Sequence, residues 1–395
     1  MKRVLAWLAS VAASVVMVAC SSGSPPGDAP TGVTVTPGDG SATVSWTSQD
    51  GLTYWVYYAQ GTSIEYASRT TQQGYRSVYE ASSPQVVNGL LNGTPYAFIV
   101  AASKDGSEAG PTSASVTVTP RAAGADWSAG TPLPVASLSG VAFGGTTFVA
   151  VGVGGAVFTS PDAITWTAQV SKTTNDLNAV RFINGRFIAV GAGGVIINST
   201  DGITWQEASS ATSNALNGLG DFGGVAVAVG AGGTILVSGE GQVWSAAASG
   251  TTNTLYAADG GNGRMVVAGA SGTLLFSDDP TSVWQAGTSP VAADLRGVRF
   301  GANGFSVVGD GGATLWSTNG ATFGAAATPA SVDLRAVAFG SQFVAVGATG
   351  AVFNSTDGIN WVAASSGSTA DLAGLVFGLY RFSAVGASGA NLTAL

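Results

Sequence analysis

DLNAVRFINGRFIAVGAGGVIINSTDGITWQEA, residues 176–208, is one copy of a unit that runs through the C-terminal two thirds of the chain. Its leucine returns as Leu138, Leu177, Leu216, Leu255, Leu295, Leu334 and Leu372, at intervals of 39, 39, 39, 40, 39 and 38 residues. A glycine closes the second apolar run of every copy: Gly152, Gly191, Gly230, Gly269, Gly309, Gly347 and Gly386. Another opens the third run: Gly155, Gly194, Gly233, Gly272, Gly312, Gly350 and Gly389. Seven copies on one ruler are an architectural signal, not a coincidence of composition.

Each copy holds four short β-rich runs, as in LNAVRF, FIAVGA, VIINS and ITWQEA. Four strands in about 39 residues is the size of one propeller blade. The nearly unbroken Ala, Val, Ile and Phe content suits strands covered on both faces. Six copies carry a turn ending in an aromatic: SPDAITW at Trp166, STDGITW at Trp205, SGEGQVW at Trp244, SDDPTSVW at Trp284, STNGATF at Phe323 and STDGINW at Trp361. The seventh stops at ANLTAL, and Asp126-Trp127 lies 39 residues before Trp166. The strand at Trp127 is therefore expected to complete the last blade, which removes an exposed sheet edge. The predicted fold class is all-β: a β-sandwich, then a seven-bladed β-propeller over 121–395 closed by an N-terminal outer strand.

The aromatic turn resembles the Asp-box (BNR-type) repeat of sialidase-like propellers and of the photosystem II assembly-factor family. Asp162, Asp201 and Asp357 match its aspartate, with Trp166, Trp205 and Trp361 as its tryptophan; Glu240 and Asn319 are variants. Ser and Asp oxygens are expected to accept backbone N–H groups there, with the indole over the turn. A calcium loop is the alternative, but each turn offers few carboxylates.

Residues 29–120 resemble a fibronectin type III domain. Ala42, Val44 and Trp46 alternate, as do Leu52, Tyr54, Val56 and Tyr58 in LTYWVYYA, so each set shares a strand face. Gly89 to Val100 looks like the family's leucine-turn-tyrosine element, which makes Tyr96 the tyrosine-corner residue. This register turns Trp55 and Tyr57 outward, for a sugar or partner or for cross-strand pairing.

Residues 1–19 resemble a lipoprotein signal peptide: Lys2 and Arg3, an apolar stretch, then Met17-Val18-Ala19 before Cys20. The resemblance implies cleavage and lipidation at Cys20, with 20–28 as a polar tether. A membrane-spanning helix is the alternative. Ser21, by resemblance to the enterobacterial sorting rule, points to the outer membrane. The implied location is a bacterial cell envelope, lipid-anchored.

The 395-residue chain has 14 basic and 22 acidic residues, a formal charge of −8, no histidine and one cysteine. Nucleic acid is not an expected partner. Histidine-based catalysis and a cysteine-rich zinc site are excluded. No cofactor and no metal are expected, and a monomer is.

The face opposite the Asp-box turns carries Asp176, Asp294, Asp333 and Asp371, each just before the leucine, and Asp310 in a second-to-third-strand turn. Arg296 and Arg335 stand two places after Asp294 and Asp333, on the same strand side. Read functionally, these form an acidic collar for a cation, a basic peptide or a sugar. Read structurally, each Asp caps a turn and pairs with an Arg. Arg181 and Arg299 share a later position on the inner strand, and Arg186, Arg264 and Arg381 are expected to be solvated. Sialidase chemistry needs a Tyr beside a carboxylate. The propeller's only tyrosines, Tyr256 and Tyr380, have no convincing partner in Glu207 or Glu240. The expected function is a non-catalytic envelope lipoprotein binding an unknown protein or carbohydrate. The alternatives are an assembly or stability factor for an envelope complex, or a sialidase-like glycoside hydrolase.

Overall fold

The structure is a computed structural model that describes residues 28–68, 74–104, 108–328 and 330–395. Cys20, the signal peptide at 1–19 and residues 20–27 of the tether lie outside the described residues. The described residues form strands and short 3-10 turns, without an α-helix. No helix among them is long and apolar enough to cross a membrane. The chain divides into two compact units: residues 43–86 and 95–118 build the first and 119–395 the second, with 37–42 and 87–94 counted in the second.

Strands between residues 34 and 118 form two sheets. Thr34–Gly38, Ser41–Ser45 and Gln85–Asn88 make one; Thr53–Gln60 and Tyr96–Lys104 are central in the other, flanked by Arg76–Ala81, Glu108–Thr112 and Val116–Val118. Tyr57 does not face outward. It is 3% exposed, packed with Ile64 and Ile99, its ring 5.1 Å from Tyr66 and 5.8 Å from Tyr75. The 3-10 turn Tyr66–Ser68 helps cover the face that alternation assigned to solvent. Trp55 is half-buried, edge-on to Tyr79 at 5.4 Å. The Tyr96 hydroxyl accepts from Gln60 Nε2 at 3.3 Å.

The second unit holds seven four-stranded antiparallel sheets among the described residues. In one, Leu177–Ile183 pairs with Arg186–Gly191, that with Ile196–Ser199, and that with Gln206–Ala208. Its second strand is central and lies between two neighbouring sheets, so Phe187, Ile188, Ala189 and Val190 are all at most 1% exposed. This accounts for the unbroken apolar runs of the repeat. The core lies between sheets: Val149, Val151 and Val157 of one pack with Leu177, Phe187, Ala189, Ile197 and Trp205 of the next. Burying each such side chain stabilises the ring by about 1.5–3 kcal/mol.

The repeated glycines have a steric cause. A Cβ on Gly191 would strike the carbonyl oxygen of Asp176, where the incoming linker crosses the end of the second strand. Gly194 combines φ +75° with a carbonyl, that of Thr212, in the space a Cβ would fill.

Each inner strand packs on the next, and the first, Leu138–Gly144, packs on the last, Leu372–Gly378. The sheets thus circle a central channel as a β-propeller. Trp127–Ala129 pairs with Asn391–Ala394 as the outer strand of the last sheet, Trp127 opposite Ala394.

Candidate functional site

The linkers between sheets place the aspartates of one face. The Oδ1 of Asp176 accepts the Gly154 N–H at 2.7 Å, that of Asp294 the Ser271 N–H at 2.9 Å, that of Asp333 the Gly311 N–H at 2.8 Å and that of Asp371 the Thr349 N–H at 2.9 Å. Each carboxylate thereby clasps the tight second-to-third-strand turn of the preceding sheet. The donor sits one residue into that turn, at a position with positive φ that leaves its N–H without a ladder partner.

The second oxygens meet guanidinium groups. Arg296 forms a two-pronged pair with Asp310, Nε to Oδ1 at 2.9 Å and Nη2 to Oδ2 at 2.8 Å, and also reaches Asp294 Oδ2 at 3.1 Å. Its guanidinium lies 4.3 Å over the Tyr256 ring, and the Tyr256 hydroxyl donates to Asp294 Oδ2 at 3.1 Å. The hydrogen bonds to Asp310 push Arg296 above its usual range. Burial, then the bond to Asp294, pushes the Tyr256 phenol up. Arg335 does not pair with Asp333 two residues before it; it bridges to Asp371 of the next sheet at 3.0 Å. Ring curvature carries its long side chain across the seam rather than along its own strand. The free acidic collar is therefore not what forms: three of its five carboxylates are ion-paired, and four hold backbone. Among the described residues no group of three or more His, Cys, Asp or Glu could hold a metal.

Ser139, Asn178, Asn217, Tyr256, Arg296 and Arg335 each follow a repeat leucine, and with Asp310 and Asp333 they line a depression of about 510 Å³ at the channel mouth. Asn178 and Asn217 are fixed by donating to the Leu216 and Leu255 carbonyls at 2.9 and 3.0 Å. Asp294 supports this mouth from behind Tyr256 and Arg296; Asp176 and Asp371 lie outside its lining.

Further along the channel lies a second compartment of about 350 Å³, lined by Val141, Val180, Leu219, Val298, Val337 and Leu375, and by Arg181, Arg299 and Asp221. Asp259, absent from the sequence reading, anchors it. Asp259 is 1% exposed; its Oδ1 is 2.5 Å from Arg181 Nη2 and 3.8 Å from Arg299 Nη1, and its Oδ2 accepts the Phe300 N–H at 2.7 Å. Arg181 also donates to the Leu219 carbonyl at 3.3 Å. The Nε of Arg299 is buried without an acceptor. Asp259, and more weakly Asp221, favour the charge on Arg299, but enclosure and Arg181 outweigh them and pull Arg299 below the usual arginine value. The signal was in the repeat: Asp259 stands four residues after its leucine, as Arg181 and Arg299 do.

On the opposite face, Asp201 Oδ1 accepts the Ile203 and Thr204 N–H groups at 2.8 Å each and the Ser199 hydroxyl at 2.8 Å, and Trp205 Nε1 donates to the Gly202 carbonyl at 2.9 Å. The turns at Asp162 with Trp166, and at Asp357 with Trp361, repeat this pattern. The N–H groups of Thr204 and Ile203 hold Asp201 below the carboxylate range; those of Asn360 and Ile359 do so for Asp357. At Asp162, burial opposes the shift but the Thr165 and Ile164 N–H groups win.

Arg186, Arg264 and Arg381 are not solvated charges. Arg186 donates to Asn198 Oδ1 at 2.7 Å; Arg264 grips Asp278 at 2.6 and 2.8 Å and donates to the Asn319 carbonyl at 2.7 Å; Arg381 donates to the Asp162 carbonyl at 3.1 Å. The last two reach the Asp-box turn of the following sheet, because adjacent sheets wedge together there. Burial pulls Arg381 below its usual value. Tyr380 stands in the exposed hairpin turn before Arg381, with no part in the mouth.

Solved structures share this fold. YCF48 from Cyanidioschyzon merolae aligns with a TM-score of 0.55 at 20% identity, over 68% of this chain and 98% of that one. YCF48 bound to D1 peptide aligns with a TM-score of 0.57 at 17% identity, over 68% and 94%. The computationally designed Ika8 protein aligns with a TM-score of 0.50 at 15% identity, over 67% and 98%. No protein-family model and no curated protein sequence matches the chain. At these identities the likeness shows the fold, a β-propeller.

Proposed function

We propose that the chain is a non-catalytic, protein-binding module of a bacterial envelope, with the channel mouth as its docking surface. The observation that carries this reading is the mouth itself: a depression of about 510 Å³ whose polar groups are held rigid by one another. A tyrosine and two arginines at its centre are residue types that anchor interfaces. A propeller of this fold, YCF48, is described as bound to D1 peptide, which favours a polypeptide over a glycan as the occupant here. The same likeness favours, as second reading, an assembly or stability factor for an envelope complex.

In this proposal 121–395 is a seven-bladed propeller and 29–120 a fibronectin type III-like spacer. Residues 1–19 are removed, and lipid on Cys20, with the 20–28 tether, holds a monomer at the outer membrane. Tyr256 does have a carboxylate partner, Asp294, which the spacing in sequence did not reveal. That carboxylate is committed to the Ser271 N–H and Arg296, and burial with this bond pushes the phenol up, which disfavours sialidase-like hydrolysis.

A photo-crosslinking amino acid at Asn217 tests the docking surface against one at Thr200 on the Asp-box face. The expected result is a discrete adduct from Asn217 only, lost in Arg296→Ala/Arg335→Ala. Adducts from Thr200 alone would reject the mouth. Membrane fractionation of Cys20→Ser tests the anchor, and release into the soluble fraction is expected.

A further inference from the structure

We infer that the lower channel compartment is a binding site for a small organic carboxylate. A cavity of about 350 Å³ that presents a few fixed polar groups suits a small ligand. Its charges are unequally served. Both oxygens of Asp259 are engaged, Oδ1 by Arg181 and Oδ2 by the Phe300 N–H. Arg181 has both Asp259 and the Leu219 carbonyl. Arg299 is left with a 3.8 Å ion pair and an Nε buried without an acceptor, while 37% of its side chain remains open to the compartment.

A buried N–H donor without an acceptor is costly, so the Arg299 Nε favours a ligand that brings an oxygen to it. The planar guanidinium fork matches a carboxylate. Asp221 completes the specificity. It lines the compartment, adds a weaker attraction to Arg299, and one of its oxygens accepts the Gly224 N–H at 2.8 Å. Its negative charge opposes a dianion such as phosphate and leaves room for a single carboxylate.

The test is a ¹⁹F NMR titration of the full-length chain in non-ionic detergent. The probe is 4-fluorobenzoate, with 4-fluorobenzamide as its neutral counterpart and inorganic phosphate as the dianion. Saturable binding of 4-fluorobenzoate is expected, unaffected by the other two. Arg299→Gln should weaken it by about 10-fold or more, the loss of a charge-assisted hydrogen bond. Asp221→Asn should tighten it by about 3-fold or more, by removing like charge. No saturable binding, equal binding of the amide, or an unchanged affinity in Arg299→Gln overturns the proposal. If Arg299→Gln does not fold, the decision passes to Asp221→Asn and to Val337→Trp, which fills the compartment without touching a charge. Unchanged affinity in either of those two overturns it as well.

Discussion

Replacing Asp259 by asparagine removes one negative charge from the centre of the ring and nothing else of comparable size. Two guanidinium groups then face each other across the channel. The amide can still accept the Phe300 N–H, but its NH₂ meets the Arg181 donors where a carboxylate oxygen stood at 2.5 Å. Breaking a buried ion pair from one side costs about 3–5 kcal/mol. Arg181 and Arg299 keep 23% and 37% of their side chains accessible, so channel water recovers part of the loss, and about 3 kcal/mol is the reasoned figure. At roughly 2–4 °C per kcal/mol for a unit of this size, the midpoint should fall by about 6–12 °C. Differential scanning calorimetry at pH 7 reads it. A second variant, Arg181→Met/Asp221→Asn/Asp259→Leu/Arg299→Met, removes the four charges of the compartment and should recover most of the lost stability, because well-packed apolar groups replace buried ions at little net cost. A midpoint within 1 °C of wild type for Asp259→Asn, or a quadruple variant no better than the single, would show that the cluster is not an electrostatic unit.

The Asp-box turns should make the fold acid-sensitive. Asp162, Asp201 and Asp357 have folded values below the unfolded value of about 3.9. Their contribution is full above that pH and is lost as pH falls through the folded values. Urea unfolding from pH 6 to 2 should steepen in that window, and an Asn variant of all three should flatten the profile. At pH 7, Asp201→Ala should cost about 1–2 kcal/mol, as at a helix cap, with Asp201→Asn costing less because an acceptor remains. Trp127→Ala should cost about 2–3 kcal/mol, less than the 3–5 of a fully buried tryptophan. It should also lower hydrogen-exchange protection at those amides of 391–394 that face Trp127–Ala129 rather than Arg381–Gly386; unchanged protection there would contradict the pairing. Arg381→Met should change stability by less than about 1 kcal/mol, since its one carbonyl contact at 3.1 Å is offset by a buried Nε without an acceptor. A loss above 2 kcal/mol in denaturant would make that arginine a strap between sheets.

The propeller was legible because its cause is local and recurs. A strand flanked by sheets must be apolar throughout, and a linker crossing Gly191 forbids a Cβ in every copy, so the chain writes the same constraint at each interval. The turn chemistry of Asp201 was legible for the same reason, since its partners lie within three residues. What failed was everything decided across a seam. Alternation sends Tyr57 to solvent only if one face of its strand is bare, and the turn at Tyr66 covers it. Arg335 skips the aspartate on its own strand for one on the next sheet. Arg264 and Arg381 find the neighbouring turn, whose proximity no spacing along their own strand reveals. Asp259 lay between these cases: its alignment with Arg181 and Arg299 was readable, but the opposite sign became meaningful only once the inner strands were set around one axis.

The strand Trp127–Ala129 leaves the last sheet unfinished until Asn391–Ala394 exists to receive it. A chain growing from its amino end carries that strand unpaired through the making of all the other sheets. Cooperative completion waits for the synthesis of residues 391–394, and deleting so few should leave every earlier repeat intact in sequence yet the circle unlatched.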